Sequence, residues 1–254
     1  LSPLNATYLV VGDLDLEKAK NSLKAISASW PPKTVDFPEI PEFEAPEKSQ
    51  IYFYDVPGAK QSVLTFGAPA LSASDKDFYA AEVMNYRLGG GSFASRLTQE
   101  LREGKGYTYG IRSRFEDRSY IGPFLISSGV RSNITYEATE LIRDILTDYA
   151  DTFTQDDLEV TKSYMTKSST RKFETLGAKL NMLKEISDYG YNDNYVAEQQ
   201  QQVEEMTVMD IQELAKKYID PDKMYFLIVG DAETQLEKLK NLGYGDPVLL
   251  NEDE

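Results

Sequence analysis

Leu88-Gly89-Gly90-Gly91-Ser92-Phe93-Ala94-Ser95-Arg96-Leu97-Thr98-Gln99-Glu100-Leu101-Arg102-Glu103-Gly104-Lys105-Gly106-Tyr107-Thr108-Tyr109 is the stretch on which the reading of this chain turns. An apolar helical run ends at three glycines, a short helix follows from about Ser92 to Glu103, and a glycine turn leads into a strand. A glycine run at a helix start leaves backbone N–H groups free beside a positive dipole end, which suits a phosphate or carboxylate. The alternative is a plain helix-to-helix turn. No G-x-x-x-x-G-K-[ST] pattern occurs, and no strand directly precedes the glycines, so neither a P-loop nor a dinucleotide fold is indicated. Arg102 closes the short helix and Tyr109 opens the next strand. A guanidinium and a phenol brought together there are suitable donors for a carbonyl or a developing oxyanion. The competing reading is an Arg capping its helix and a Tyr packed on the sheet.

Upstream, Ser74–Leu88 has the spacing of a helix, with Phe78, Ala81, Val83 and Met84 on its apolar face. Before it, Ile51–Val56 and Ser62–Ala70 read as strands across the Pro57-Gly58 turn. Downstream, Tyr107–Phe115 and Ser119–Val130 form a second strand pair. The remainder is nearly all helix: about Ile134–Phe153, Asp156–Phe173, Leu176–Asp188, Asn194–Glu204 and Val208–Tyr218. Thr154-x-x-Asp157 and Thr207-x-x-Asp210 mark two helix starts as capping boxes. A last strand, Met224–Asp231, ends in Gly230-Asp231.

That ending occurs twice. Ala6–Asp13 is strand-like and ends in Gly12-Asp13, and Leu16-Glu17-Lys18-Ala19-Lys20 answers to Leu236-Glu237-Lys238-Leu239-Lys240. The offset is 218 (230 − 12), which predicts a duplicated domain of about 210–220 residues with most of the first copy lacking. Chance likeness is the alternative. The expected organisation is a strand–helix remnant of the preceding domain over 1–30, a Pro-rich linker over 31–49 (Pro38, Pro41, Pro46), and an α+β domain over 50–254. With no initiator methionine and a strand-like opening, the chain is expected to be part of something longer.

Composition closes several routes. The 254 residues carry a net charge of −15, which disfavours phosphate-dominated nucleic-acid binding. There are no cysteines and no histidines. Disulfides, thiolate zinc sites and cysteine nucleophiles are therefore excluded, and so is any hydrolytic mechanism needing an imidazole base or ligand within this chain. No apolar run reaches the roughly 18–20 residues that cross a bilayer.

The run Ser95-Arg96-Leu97 … Glu100-Leu101-Arg102-Glu103-x-Lys105-Gly106-x-x-Tyr109 closely resembles the signature of the second, non-catalytic half of pitrilysin/insulinase-family zinc peptidases, the family of the mitochondrial processing peptidases and their bacterial relatives. The resemblance spans essentially the whole chain: the Gly-Asp strand and helix, Trp30 with its linker, the glycine run and the closing helices come in that family's order. It implies an α+β half-clamshell, a mixed β-sheet covered by helices, that closes with a first half around an extended peptide. In that family the first half holds zinc through an inverted H-x-x-E-H motif, and the second half contributes an Arg and a Tyr seven residues apart that grip the substrate and polarise its carbonyl. Arg102 and Tyr109 have that spacing (109 − 102 = 7). The resemblance also places Gly89, Gly90, Gly91 and Ser92 as substrate-binding residues along the cleft. It implies no metal in this fragment, zinc in the intact enzyme, an N-terminal half or partner subunit, and a bacterial periplasmic or extracytoplasmic location.

Other residues read more plainly. Tyr8, Tyr52, Tyr54, Tyr79 and Tyr225 are expected in the core. Asp156-Asp157 is expected to be solvated and to favour a helix dipole. Arg112 and Arg114 share one face of their strand, bordering the cleft or forming the wet face of an edge strand. Two further functions stay open: a partner or scaffold subunit without peptidase activity, and an acidic module that binds a small anion at its glycine loop.

Overall fold

The computed structural model describes residues 2–41 and 43–250. Six strands form one mixed sheet: β1 (Gln50–Asp55), β2 (Gln61–Leu71), β3 (Thr108–Phe115), β4 (Gly122–Arg131), β5 (Tyr225–Gly230) and β6 (Val248–Leu250), in the order β3-β4-β2-β5-β1-β6. The first four of that order pair antiparallel with one another, while β1 runs parallel to both β5 and β6. Period-2 alternation sends Ile51, Phe53, Leu64, Phe66, Phe124, Ile126, Phe226 and Ile228 to one face, where each is at most 1 % exposed. Burying each such side chain stabilises by about 1.5–3 kcal/mol. Val63 and Tyr225, on the other face, are 51 % and 41 % exposed.

The helices are α1 (Leu16–Ser29), α2 (Phe78–Asn85), the one-turn α3 (Arg96–Thr98), α4 (Thr135–Thr152), α5 (Gln155–Ser169), α6 (Leu176–Tyr189), α7 (Tyr195–Glu205), α8 (Val208–Tyr218) and α9 (Ala232–Leu239), and several of them cover the buried face. α4 supplies Ala138, Ile142, Leu146 and Tyr149 to the core, and α8 supplies Ile211 and Ala215. α1 stands apart. None of the α1 residues whose side chains are described is buried, and Leu16 and Ile26 are 67 % and 52 % exposed. Both expected capping boxes form, with Thr154 and Thr207 exchanging hydrogen bonds with Asp157 and Asp210.

The structure corrects four expectations. Ala6–Asp13 is not a strand, because no neighbouring strand is present to take its hydrogen bonds. Gly89 and Gly90 do not break the preceding helix. They widen it into a π turn over Tyr86–Gly90, closed by Gly91 N–H on Tyr86 C=O at 2.8 Å. None of Tyr8, Tyr52, Tyr54, Tyr79 and Tyr225 is buried, and the buried tyrosines are Tyr86, Tyr149 and Tyr195. β6, only three residues long, adds a strand the sequence did not announce. The acidic tail Glu252-Asp253-Glu254 lies outside the described residues.

The repeated Gly-Asp ending has a packing cause in its second copy. A Cβ on Gly230 would lie 2.5 Å from Ser62 Oγ of β2. Asp231 accepts the Gly58 N–H at 2.8 Å and so ties the β1–β2 turn to the end of β5.

Asp157 is not a solvated acid. It is 7 % exposed, with Oδ1 2.7 Å from Arg87 and Oδ2 2.6 Å from Arg96. Burial pushes its pKa up, but the hydrogen bonds from Arg96, the Thr154 backbone N–H and Arg87 outweigh this and hold the carboxyl at about 2, below its usual 3.8. Arg96 also reaches the Thr152 C=O at 2.7 Å and lies 5.0 Å from the Tyr149 ring centre. A depressed carboxyl pKa contributes stability that is whole above about pH 4 and is lost as pH falls through 2. We predict that Asp157→Asn lowers unfolding free energy at pH 7 by about 3 kcal/mol, since it strands two half-buried arginines. It should also flatten the loss of stability between pH 4 and pH 2. Urea titrations at several pH values read both effects.

Candidate functional site

Arg102 lies on a second π turn, Gln99–Gly104, which continues α3. The chain then reverses through Gly106 at φ 62, with Gly106 N–H on Arg102 C=O at 3.0 Å and Tyr107 N–H on Leu101 C=O at 2.8 Å. Glycine is needed there because an L side chain is strained at that φ. Tyr109 follows three residues after Gly106, so the two candidates are joined by no more than about 10 Å of chain beyond the reversal. Arg102 is half-exposed and pairs through Nε with Glu103 at 3.3 Å. Its guanidinium carbon lies 4.6 Å from the Phe93 ring centre.

Tyr109 owes its position to a β-bulge. Thr108 pairs with Val130 and Ile111 with Ser128, so two residues, Tyr109 and Gly110, stand opposite Gly129 alone. Thr108 Oγ1 pins the bulge: it accepts from the Gly110 N–H at 3.0 Å and from Ser128 Oγ at 2.9 Å, and lies 2.8 Å from the Gly129 C=O. Unbroken alternation would have put Tyr109 on the buried face with Ile111 and Ser113. The bulge moves it to the exposed face with Arg112 and Arg114, where it is 93 % exposed.

The glycine run serves packing first. A Cβ on Gly89 would come within 2.6 Å of the Ser113 backbone nitrogen, and one on Gly91 within 2.6 Å of the Tyr86 carbonyl oxygen. The N–H groups of Gly91, Ala94 and Ser95 are spent on Tyr86, Gly91 and Ser92 C=O, which leaves a poor cradle for an anion. Of the two readings from spacing, the structural turn is the better fit. Gly89 and Gly90 do line a cavity of about 610 Å³ together with Arg112, Arg114, Tyr79 and Tyr191. Burial pushes the phenols of Tyr79 and Tyr191 up to about 12, so both remain hydrogen-bond donors at neutral pH. Arg102 and Tyr109 do not line it. The candidates thus fall into two groups: Arg102 and Tyr109 on either side of the Gly106 turn, and Gly89 and Gly90 on the border of the cavity. Ser92 is exposed on the loop beside Phe93.

β3 is an edge strand, so Arg112 and Arg114 occupy its exposed face and border the cavity as well, with Arg114 paired to Glu116 at 2.9 Å. Its outer backbone is partly closed. Asn85 Nδ2 donates to the Ser113 C=O at 2.9 Å, and Thr98 Oγ1 donates to the Ile111 C=O at 3.4 Å. An added strand therefore has no free ladder over Ile111–Ser113. Among the described residues, no group of three or more His, Cys, Asp or Glu side chains could hold a metal ion. No helix among them is long and apolar enough to cross a membrane.

The family model described as the peptidase M16 inactive domain matches residues 1–165. The chain belongs to that family. A non-peptidase homolog, YmxG, from Helicobacter pylori is 25 % identical over 239 residues, which cover 90 % of this chain and 52 % of that protein. An uncharacterized zinc protease of Streptomyces coelicolor is 30 % identical over 125 residues, 49 % of this chain and 27 % of that one. Among solved structures, the peptidase M16 inactive domain from Pseudomonas fluorescens superposes with a TM-score of 0.77 at 28 % identity, covering 87 % of this chain and 52 % of its own. The chain thus spans about half the length of the Helicobacter relative, and it is the pitrilysin-type C-terminal half, with the expected α+β sheet.

Phe93, Thr108 and the arginine partners of Asp157 escaped the sequence reading. Gly110 inside a strand pattern was the available signal for the bulge. We predict that Gly89→Ala destabilises the chain by about 1–3 kcal/mol through overpacking against Ser113. Chemical denaturation of the purified chain measures this, and an unchanged midpoint would contradict the packing role.

Proposed function

We propose that this chain is the substrate-gripping half of a two-half zinc peptidase, with no hydrolytic activity of its own. The observation that carries the reading is Tyr109, a large phenol turned to solvent by a pinned bulge, just past the turn that fixes Arg102. Folding gains nothing from an aromatic side chain left that exposed. A peptide carbonyl placed against this corner would meet two kinds of donor, the Arg102 guanidinium and the Tyr109 O–H. Both donors would strengthen as charge develops on the carbonyl oxygen.

The residues here do not fit zinc, for want of any imidazole or thiolate, so the metal and its water belong to the other half. That other half would also give Ala6–Asp13 the strand neighbours it lacks and would cover the apolar side chains of α1. On this reading residues 1–30 belong with the preceding homologous domain and 31–49 are the linker. On the same reading Gly89, Gly90, Gly91 and Ser92 would lie along the substrate's path.

A second reading is a scaffold subunit of the same family, favoured by the naming of the Helicobacter pylori relative as a non-peptidase homolog. The two readings differ in whether the complete protein carries the inverted zinc motif in its other half. For the first, Arg102→Ala and Tyr109→Phe in the complete protein should each lower turnover of an extended peptide by about 10²–10³-fold, or about 3 kcal/mol of transition-state stabilisation. Stability should change by less than about 0.5 kcal/mol, as for surface positions. Steady-state kinetics beside denaturation curves test this, and near-normal turnover in both variants would sink the assignment.

A further inference from the structure

Phe93 is 55 % exposed, at the tip of the loop between the two π turns. Three successive carbonyls tie that loop down: Ser92 C=O accepts from Ser95 Oγ at 2.7 Å, Phe93 C=O from Gln99 Nε2, and Ala94 C=O from the Arg87 guanidinium. Its entry is Ser92 at φ 51, the single non-glycine residue with positive φ among the described residues. L residues avoid that region, and strain of this kind persists where the surroundings over-determine it. A fastened loop with a strained entry thus holds an exposed phenyl ring against the guanidinium of Arg102, 4.6 Å away.

Glu103 holds Arg102 at Nε. Among the described residues, neither Nη group of Arg102 makes a hydrogen bond within the chain. The guanidinium carbon stands over an aromatic ring, the inner nitrogen is paired, and the two outer nitrogens are left to donate. Arg stacks on aromatic faces and offers a planar fork, so fixing the plane in advance lowers the ordering cost when a carbonyl arrives.

We propose that Phe93 is a positioning residue for Arg102, a platform that holds the guanidinium in place for the substrate. This rests on the role assigned to Arg102 above. The test is a double-mutant cycle in the complete protein, with turnover of an internally quenched decapeptide read as kcat and KM separately. Phe93→Leu, which keeps apolar bulk and removes the π face, should lower kcat about tenfold with KM and the denaturation midpoint little changed. Phe93→Tyr should stay within about twofold of the wild type. In an Arg102→Ala background Phe93→Leu should have no further effect.

Wild-type kcat in Phe93→Leu alongside an impaired Arg102→Ala overturns the platform and leaves the role of Arg102 standing. The same tenfold loss from Phe93→Leu in both backgrounds also overturns it, since Phe93 would then act independently. Full turnover in Arg102→Ala, or no peptide cleavage by the complete wild-type protein, overturns the reading beneath it and this inference with it.

Discussion

One carboxylate organises the region that matters here. Asp157 caps the start of α5 and, from the same two oxygens, holds Arg87 of the first π turn and Arg96 at the start of α3. Arg87 in turn carries the loop of Ser92–Ala94, and Arg96 lies on Tyr149 in the core. The glycine-rich segment, which has little apolar side chain with which to pack itself, is therefore fastened to the helical layer electrostatically. A buried carboxylate between two guanidinium groups is costly to desolvate and costlier to break, so its value lies in geometry more than in net stability. It fixes where the second π turn begins, and through that turn where Arg102 stands.

The other fixed point is the bulge in β3. Sheet registers are rigid because a one-residue slip turns every side chain to the opposite face. Here one extra residue does this once, deliberately placed: upstream of Gly110 the exposed face receives Tyr109, and downstream it receives Arg112 and Arg114. The hydroxyls of Thr108 and Ser128 fill the hydrogen-bonding gap the extra residue opens. Helix layer and sheet thus each fix one of the two candidate residues, Arg102 and Tyr109.

Much of this was legible in the sequence, and the parts that were not share a cause. Local signals read well: Thr154 and Thr207 announced their helices, Pro57-Gly58 its turn, and the Arg102–Tyr109 spacing the family. Non-local partners did not. Asp157 looks like an ordinary first-turn acid, because its arginines lie 70 and 61 residues away. Ala6–Asp13 has a strand's composition, but a strand is a property of two segments, and only one is present. The glycine run left a turn and an anion cradle open, and contacts with Ser113 and Tyr86 give Gly89 and Gly91 a packing role that the sequence does not reveal. The tyrosines expected inside mostly line surfaces, since a phenol needs a partner for its hydroxyl or access to water.

The central claim is a division of labour: this chain grips, and another half carries the metal. It is tested most directly by peptide hydrolysis with this 254-residue chain alone and with the complete protein, each with and without added zinc. The account predicts zinc-dependent cleavage by the complete protein and none by the isolated chain under either condition. Cleavage by the isolated chain would contradict it outright.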